Sequence, residues 1–155
     1  MTASFEISDR FIEAGDASEL LYAPLSQPLT YRKTRRYDFE FEGDEAKLNQ
    51  FVTNTLVDKV SQTMHEVDGK GEAIVDGEPL FSLDYGMKPG ALDLEKEAIV
   101  SYYKSLRNPG FELKDLKIRQ CIYVFSAKPS ESCDPEIFVR DICNGAIHNW
   151  NVSAA

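Results

Sequence analysis

The sequence predicts an α+β domain, and three observations carry that prediction. Strand-like and helix-like segments alternate along most of the chain. Two segments, Tyr37-Asp-Phe-Glu-Phe-Glu42 and Phe81-Ser-Leu-Asp-Tyr85, place aromatic or aliphatic residues at every second position, the period of a half-buried strand. Three others carry apolar residues three and four apart behind an aspartate, the pattern of an amphipathic helix with a side-chain cap.

Residues 1–36 show no sustained period and read as an N-terminal arm. Short helical turns are expected over Ser8–Gly15 and Ala17–Tyr22, then an extended path through Pro24 and Pro28. Phe5, Phe11 and Tyr22, with several leucines, make this arm too apolar for a free tail, so it should pack on its own domain or on a neighbour. It ends in the basic cluster Tyr31-Arg-Lys-Thr-Arg-Arg-Tyr37.

Residues 37–155 read as one domain. Tyr37, Phe39 and Phe41 share one strand side, and Asp38, Glu40 and Glu42 the other. Gly43-Asp44 stops the strand, and Asp44 and Glu45 open a helix predicted to run to Val67 with Leu48, Phe51, Val52, Leu56, Val60, Met64 and Val67 as its stripe. Asp76-Gly77 suits a hairpin turn before Phe81–Tyr85. Asp93 caps a second helix whose apolar side holds Leu94, Ala98, Ile99, Tyr102, Tyr103 and Leu106. Phe111–Ser126 returns to strand, strongest at Ile118–Phe125, and Asp134-Pro135 opens a last helix through about Trp150.

The resulting βαββαβ order is that of ferredoxin-like folds, with an arm and an extra C-terminal helix added. Both helices then cover one sheet face, and Tyr37, Phe39, Phe41, Phe81, Leu83 and Tyr85 supply the apolar one. The last strand is expected at an edge. Because Cys121, Tyr123 and Phe125 make its second side apolar, residues 5–31 are predicted to cover it within the chain or across a homodimer, with Arg32, Arg35 and Arg36 reaching the acidic face.

Charge narrows the function. Of a net charge of -9, residues 37–100 contribute -10, with 15 acidic and five basic side chains. Such a field repels nucleic acid and anionic membranes and suits a basic protein surface. RNA stacking on the open face is disfavoured, because turning the aromatics outward would bury the carboxylates beneath the helices. No run of 18 apolar residues and no secretory signal is visible, and three cysteines (Cys121, Cys133, Cys143) fit reduced thiols, so a cytoplasmic location is expected. His65, His148 and Cys133 belong to no recognisable nucleophilic constellation, and no cofactor motif is present.

The leading expectation is a non-catalytic protein–protein interaction module, an adaptor or assembly subunit. It would present Asp38, Glu40, Glu42 and Asp84 to a basic partner and use the arm for contacts that include self-association. One alternative is a metal-dependent nucleotidyl-transfer or phosphate-ester enzyme using Asp38, Glu40 and Asp84, with Asp76 as a further candidate. Another is an acidic inhibitor or immunity protein that masks a basic enzyme surface.

Overall fold

The computed structural model describes residues 1–9, 15–25, 27–67, 78–126 and 133–154. These residues form an α+β structure of strands β1 (Thr2–Asp9), β2 (Gly15–Asp16), β3 (Leu29–Gly43), β4 (Gln62–Val67), β5 (Phe81–Met87), β6 (Phe111–Ser126) and β7 (His148–Ala154). The helices are α1 (Glu45–Thr55), α2 (Leu94–Ser105) and α3 (Glu136–Ile142), with a 3-10 turn at Ala17–Leu20. The seven strands make one sheet in the order β4-β1-β3-β6-β5-β7, with β2 paired to β3.

That order corrects the ferredoxin-like expectation in both strand count and neighbours. A ferredoxin-like sheet sets its first and third strands side by side, whereas here β6 lies between β3 and β5 and is no edge. Residues 2–9, expected as part of an arm, are the interior strand β1. The physical reason lies in Ala3, Phe5 and Ile7, which alternate with Ser4, Glu6 and Ser8 and so meet the same period-two condition as β3. Residues 29–36 are likewise the first half of β3.

The chain divides into two compact units, the first formed by Met1–Phe11, Arg35–Ile74 and Leu92–Ile118. In this unit Phe5, Tyr37, Phe39 and Phe41 pack with Leu48, Phe51 and Val52 of α1 and Ile99 of α2, so the aromatic side of β3 faces the helices as expected. The Phe5 and Phe39 rings meet edge to face at 5.8 Å. Tyr103 of α2 donates its hydroxyl hydrogen to the Phe111 carbonyl (2.8 Å) and accepts from the Leu113 N–H (3.2 Å), which ties the helix to β6.

Local signals placed the starts of α1 and α2 correctly, whereas α3 begins one residue later than expected, at Glu136 with Pro135 in the cap position, and the turn expected to begin at Ser8 is the end of β1. Asp44 Oδ1 accepts from the Ala46 N–H at 2.9 Å, and Asp93 Oδ1 from the Lys96 N–H at 3.1 Å. Gly43, at φ 111°, sits so close to Gly110 and Phe111 that a Cβ would lie 2.9 Å from backbone atoms, so glycine is required for both conformation and space.

The end of α1 corrects the expected helix to Val67. Asp58 accepts from the Val60 N–H (3.0 Å), a side-chain turn that competes with helical bonding, and Gln62–Val67 then pairs antiparallel with β1. Val60, expected in the helical stripe, is 76% exposed. On α2, Leu94 and Tyr102 are likewise exposed, not buried.

The second unit comprises Ile12–Thr34, Val75–Ala91 and Arg119–Ala155. Its core joins Ala17 and Leu29 to Phe81 and Leu83 of β5, Ile122 and Val124 of β6, and Phe138 and Val139 of α3. Phe81 and Leu83 therefore point inward as expected, but they pack with α3 and not with α1 and α2; Phe81 and Phe138 stack edge to face at 5.2 Å. Cys121 and Tyr123 are buried on the opposite side of β6 with Phe125.

The predicted final helix stops at Ile142. Asn144 then forms a turn, its Oδ1 accepting from the Ala146 N–H and its N–H donating to His148 Nδ1 (both 3.0 Å). The last expected helical residues, 148–150, instead open β7, which pairs antiparallel with β5. The Asp76-Gly77 hairpin turn lies outside the described residues.

Candidate protein-interaction face

Within the first unit, the alternation that buries Tyr37, Phe39 and Phe41 turns Asp38, Glu40 and Glu42 away from the core. Glu40 and Glu42 are exposed, whereas Asp38 is half-buried with its Oδ1 3.2 Å from Arg36 Nε. Arg36 thus reaches the acidic side of its own strand. Arg35 goes elsewhere: its Nη1 donates to Glu95 Oε1 of α2 at 2.8 Å. Tyr37 Oη donates to the same oxygen at 2.7 Å, so one carboxylate holds the arginine and the phenol.

Burial, with the Glu95 carboxylate, pushes the Tyr37 phenol up to about 12, although Arg35 acts in the opposite direction. A phenol with its folded pKa above its unfolded value stabilises the fold fully below the ordinary value near 10. That contribution is lost as pH rises through about 12. In a spectrophotometric titration Tyr37 should be among the last tyrosines to ionise, and Tyr37→Phe should remove one late-titrating phenol. Ionisation of all tyrosines near pH 10, with the circular dichroism unchanged, would contradict this placement.

Two residues of β6 that the sequence reading did not single out complete the face. Lys114 Nζ donates to Glu112 Oε1 at 3.0 Å, and this bond, with further contributions from Glu42 and Glu40, raises the lysine pKa. Lys114 is therefore bonded to one carboxylate, Glu112, and attracted at longer range by two others, Glu42 and Glu40. Among the described residues, Glu40 and Glu42 enter no ion pair within 4.0 Å. The signal of Glu112 and Lys114 in the sequence is the alternation of Phe111-Glu-Leu-Lys114, which does not say which strand lies alongside.

Asp84, expected on the acidic face, is engaged inside the second unit. Arg119 Nε donates to Asp84 Oδ1 at 2.6 Å, Nη2 to the Asp84 carbonyl at 3.2 Å, and Nη1 to Asn149 Oδ1 at 2.5 Å. The side chains of Arg119 and Asp84 are only 13% and 20% exposed, so this guanidinium clamps β5, β6 and β7 together. Among the described residues, no group of three or more His, Cys, Asp or Glu side chains is placed to hold a metal ion. Of the alternative set of Asp38, Glu40 and Asp84, the two aspartates each hold an arginine.

The expected arm contacts separate. Phe5 is buried in the first core, and Tyr22 is 88% exposed with its N–H donating to Asp141 Oδ2 at 3.1 Å. Arg32 is half-buried in the second unit, and Phe11 lies outside the described residues. His65 stands on β4 opposite Glu6 of β1, not at a helix end, and Cys133 packs half-buried against the second core.

Comparison of the chain with known protein families, with characterised proteins and with solved structures gives no match. Among the described residues, no helix is long and apolar enough to cross a membrane.

Proposed function

We propose that the protein is a non-catalytic interaction module, a subunit or adaptor that docks the basic surface of a protein partner on the carboxylates of its first unit. One observation carries the reading: Glu40 and Glu42 stand in solvent on a strand whose alternate residues are locked in the core, beside Glu112, with Lys114 as their shared counter-charge. A rigid strand holds these charges in a fixed array, so they act together as a field. Each contact is worth little in water, about 1 kcal/mol at 4 Å, but the array steers association and fixes orientation. We place this activity in the cytoplasm, in keeping with three free thiols.

The test uses the full chain, recovered from its own cytoplasm by gentle lysis and weighed by native mass spectrometry. The wild type should carry a protein partner at low salt and release it in about half-molar salt. Glu40→Lys with Glu42→Lys should weaken the complex by about tenfold or more while leaving the melting temperature unchanged, because both side chains are exposed. Recovery as a free monomer only, or a partner retained by the charge-reversed protein, would count against the reading.

A further inference from the structure

Independently of the acidic face, we infer that β7 is a self-pairing edge: two copies of the protein join β7 to β7 antiparallel, about a two-fold axis centred on Asn151. β7 ends the strand order and is bonded on one side to β5. Among the described residues no strand takes its other side, which leaves a row of backbone N–H and C=O groups able to pair.

Sheet proteins usually blunt such an edge with a charge, a proline or a bulge, and β7 has none of them. Residues 142–155 contain no Asp, Glu, Lys or Arg in a chain that is 28% charged. That absence selects the occupant. Two copies each carrying a net charge of -9 repel wherever their acidic segments meet, but not along an uncharged strand. At the other end of the strand order, β4 carries Glu66 and lacks this neutrality.

The strand is also complementary to itself. His148–Ala154 is centred on Asn151, so antiparallel pairing about that residue overlaps the whole strand. Trp150 then stands opposite Val152 of the second copy, and Val152 opposite its Trp150. Within one copy these two residues already lie beside Tyr85 and Leu83 of β5. They are 38% and 37% exposed, and the cross-strand aromatic-to-branched contacts would cover them twice over. On the other side, Asn149 meets Ser153 and Asn151 meets its own copy, hydrogen-bonding side chains throughout. Seven residues span about 24 Å, and a contact confined to one strand edge belongs with the small, weakly associating interfaces.

Trp150 is the only tryptophan of the chain, so its fluorescence reports on this edge alone. Sedimentation velocity of the full chain from about 1 to 200 μM should show the mass doubling. The Trp150 emission should shift to shorter wavelength over the same range. Asn151→Lys faces Asp84 within its own sheet, where a lysine is acceptable, but sets two lysines against each other at the two-fold axis. It should remain monomeric throughout, while Asn151→Thr should dimerise like the wild type. Should Asn151→Lys fail to fold, Asn151→Cys decides: residues opposed across such an axis lie within disulfide reach, so oxidation should give a covalent dimer that the wild type does not form.

A monomeric wild type across the range, a dimer with unchanged Trp150 emission, or an Asn151→Lys dimer of wild-type affinity would each overturn the proposal. So would absence of the covalent Asn151→Cys dimer. None of these outcomes touches Glu40 or Glu42, so the failure of this proposal is separable from failure of the acidic-face reading.

Discussion

Phe39→Ala is expected to lower the free energy of unfolding by about 3–5 kcal/mol, whereas Glu40→Ala should change it by no more than about 0.5 kcal/mol. The two residues are neighbours in sequence and opposites in environment. Phe39 is 1% exposed and meets Phe5 edge to face, within a core that also holds Leu48 and Phe51 of α1. Its removal takes away burial and leaves a cavity that β3, paired on both sides, cannot close by moving. Glu40 is exposed and enters no ion pair within 4.0 Å among the described residues, feeling Lys114 only at longer range. Urea unfolding followed by circular dichroism distinguishes the two outcomes. Comparable losses in the two variants would mean that the faces of β3 are assigned the wrong way round.

Arg119→Met should destabilise the protein by about 3 kcal/mol, the cost of leaving a largely buried carboxylate without its cation. Arg119 of β6 donates to the Asp84 side chain and carbonyl of β5 and to Asn149 of β7. Combining Arg119→Met with Asp84→Leu should recover the loss to within about 1 kcal/mol of wild type, since an apolar pair of similar volume leaves no buried charge unmatched. The same denaturant titrations read the cycle. A loss below about 1 kcal/mol in the single variant would mean that solvent reaches Asp84 and that the clamp contributes no more than a surface pair.

What the sequence determined by itself was local. Periods of two placed the inward residues of β3 at Tyr37, Phe39 and Phe41 and those of β5 at Phe81 and Leu83. Aspartates marked the starts of α1 and α2, because a cap is made between a side chain and N–H groups two or three residues away. The extent of β6 was also legible, and so was the exposure of Glu40 and Glu42, which follows from the burial of their neighbours.

Tertiary structure decided what local spacing leaves ambiguous. Leu56, Val60 and Met64 fit a helical stripe, but Met64 also fits a strand beside Ile7, and pairing with β1 settles the choice. Residues 148–150, expected to end the last helix, were likewise drawn into β7 by pairing with β5, with the Asn144-Gly145 turn as a local hint. The charge partners were least legible of all: Arg35 finds Glu95 60 residues away and Arg119 finds Asp84 35 residues away. Composition counts such charges and alternation assigns them a face, but only the strand order, set by backbone pairing between distant segments, determines which carboxylates are neutralised and which remain open to a partner.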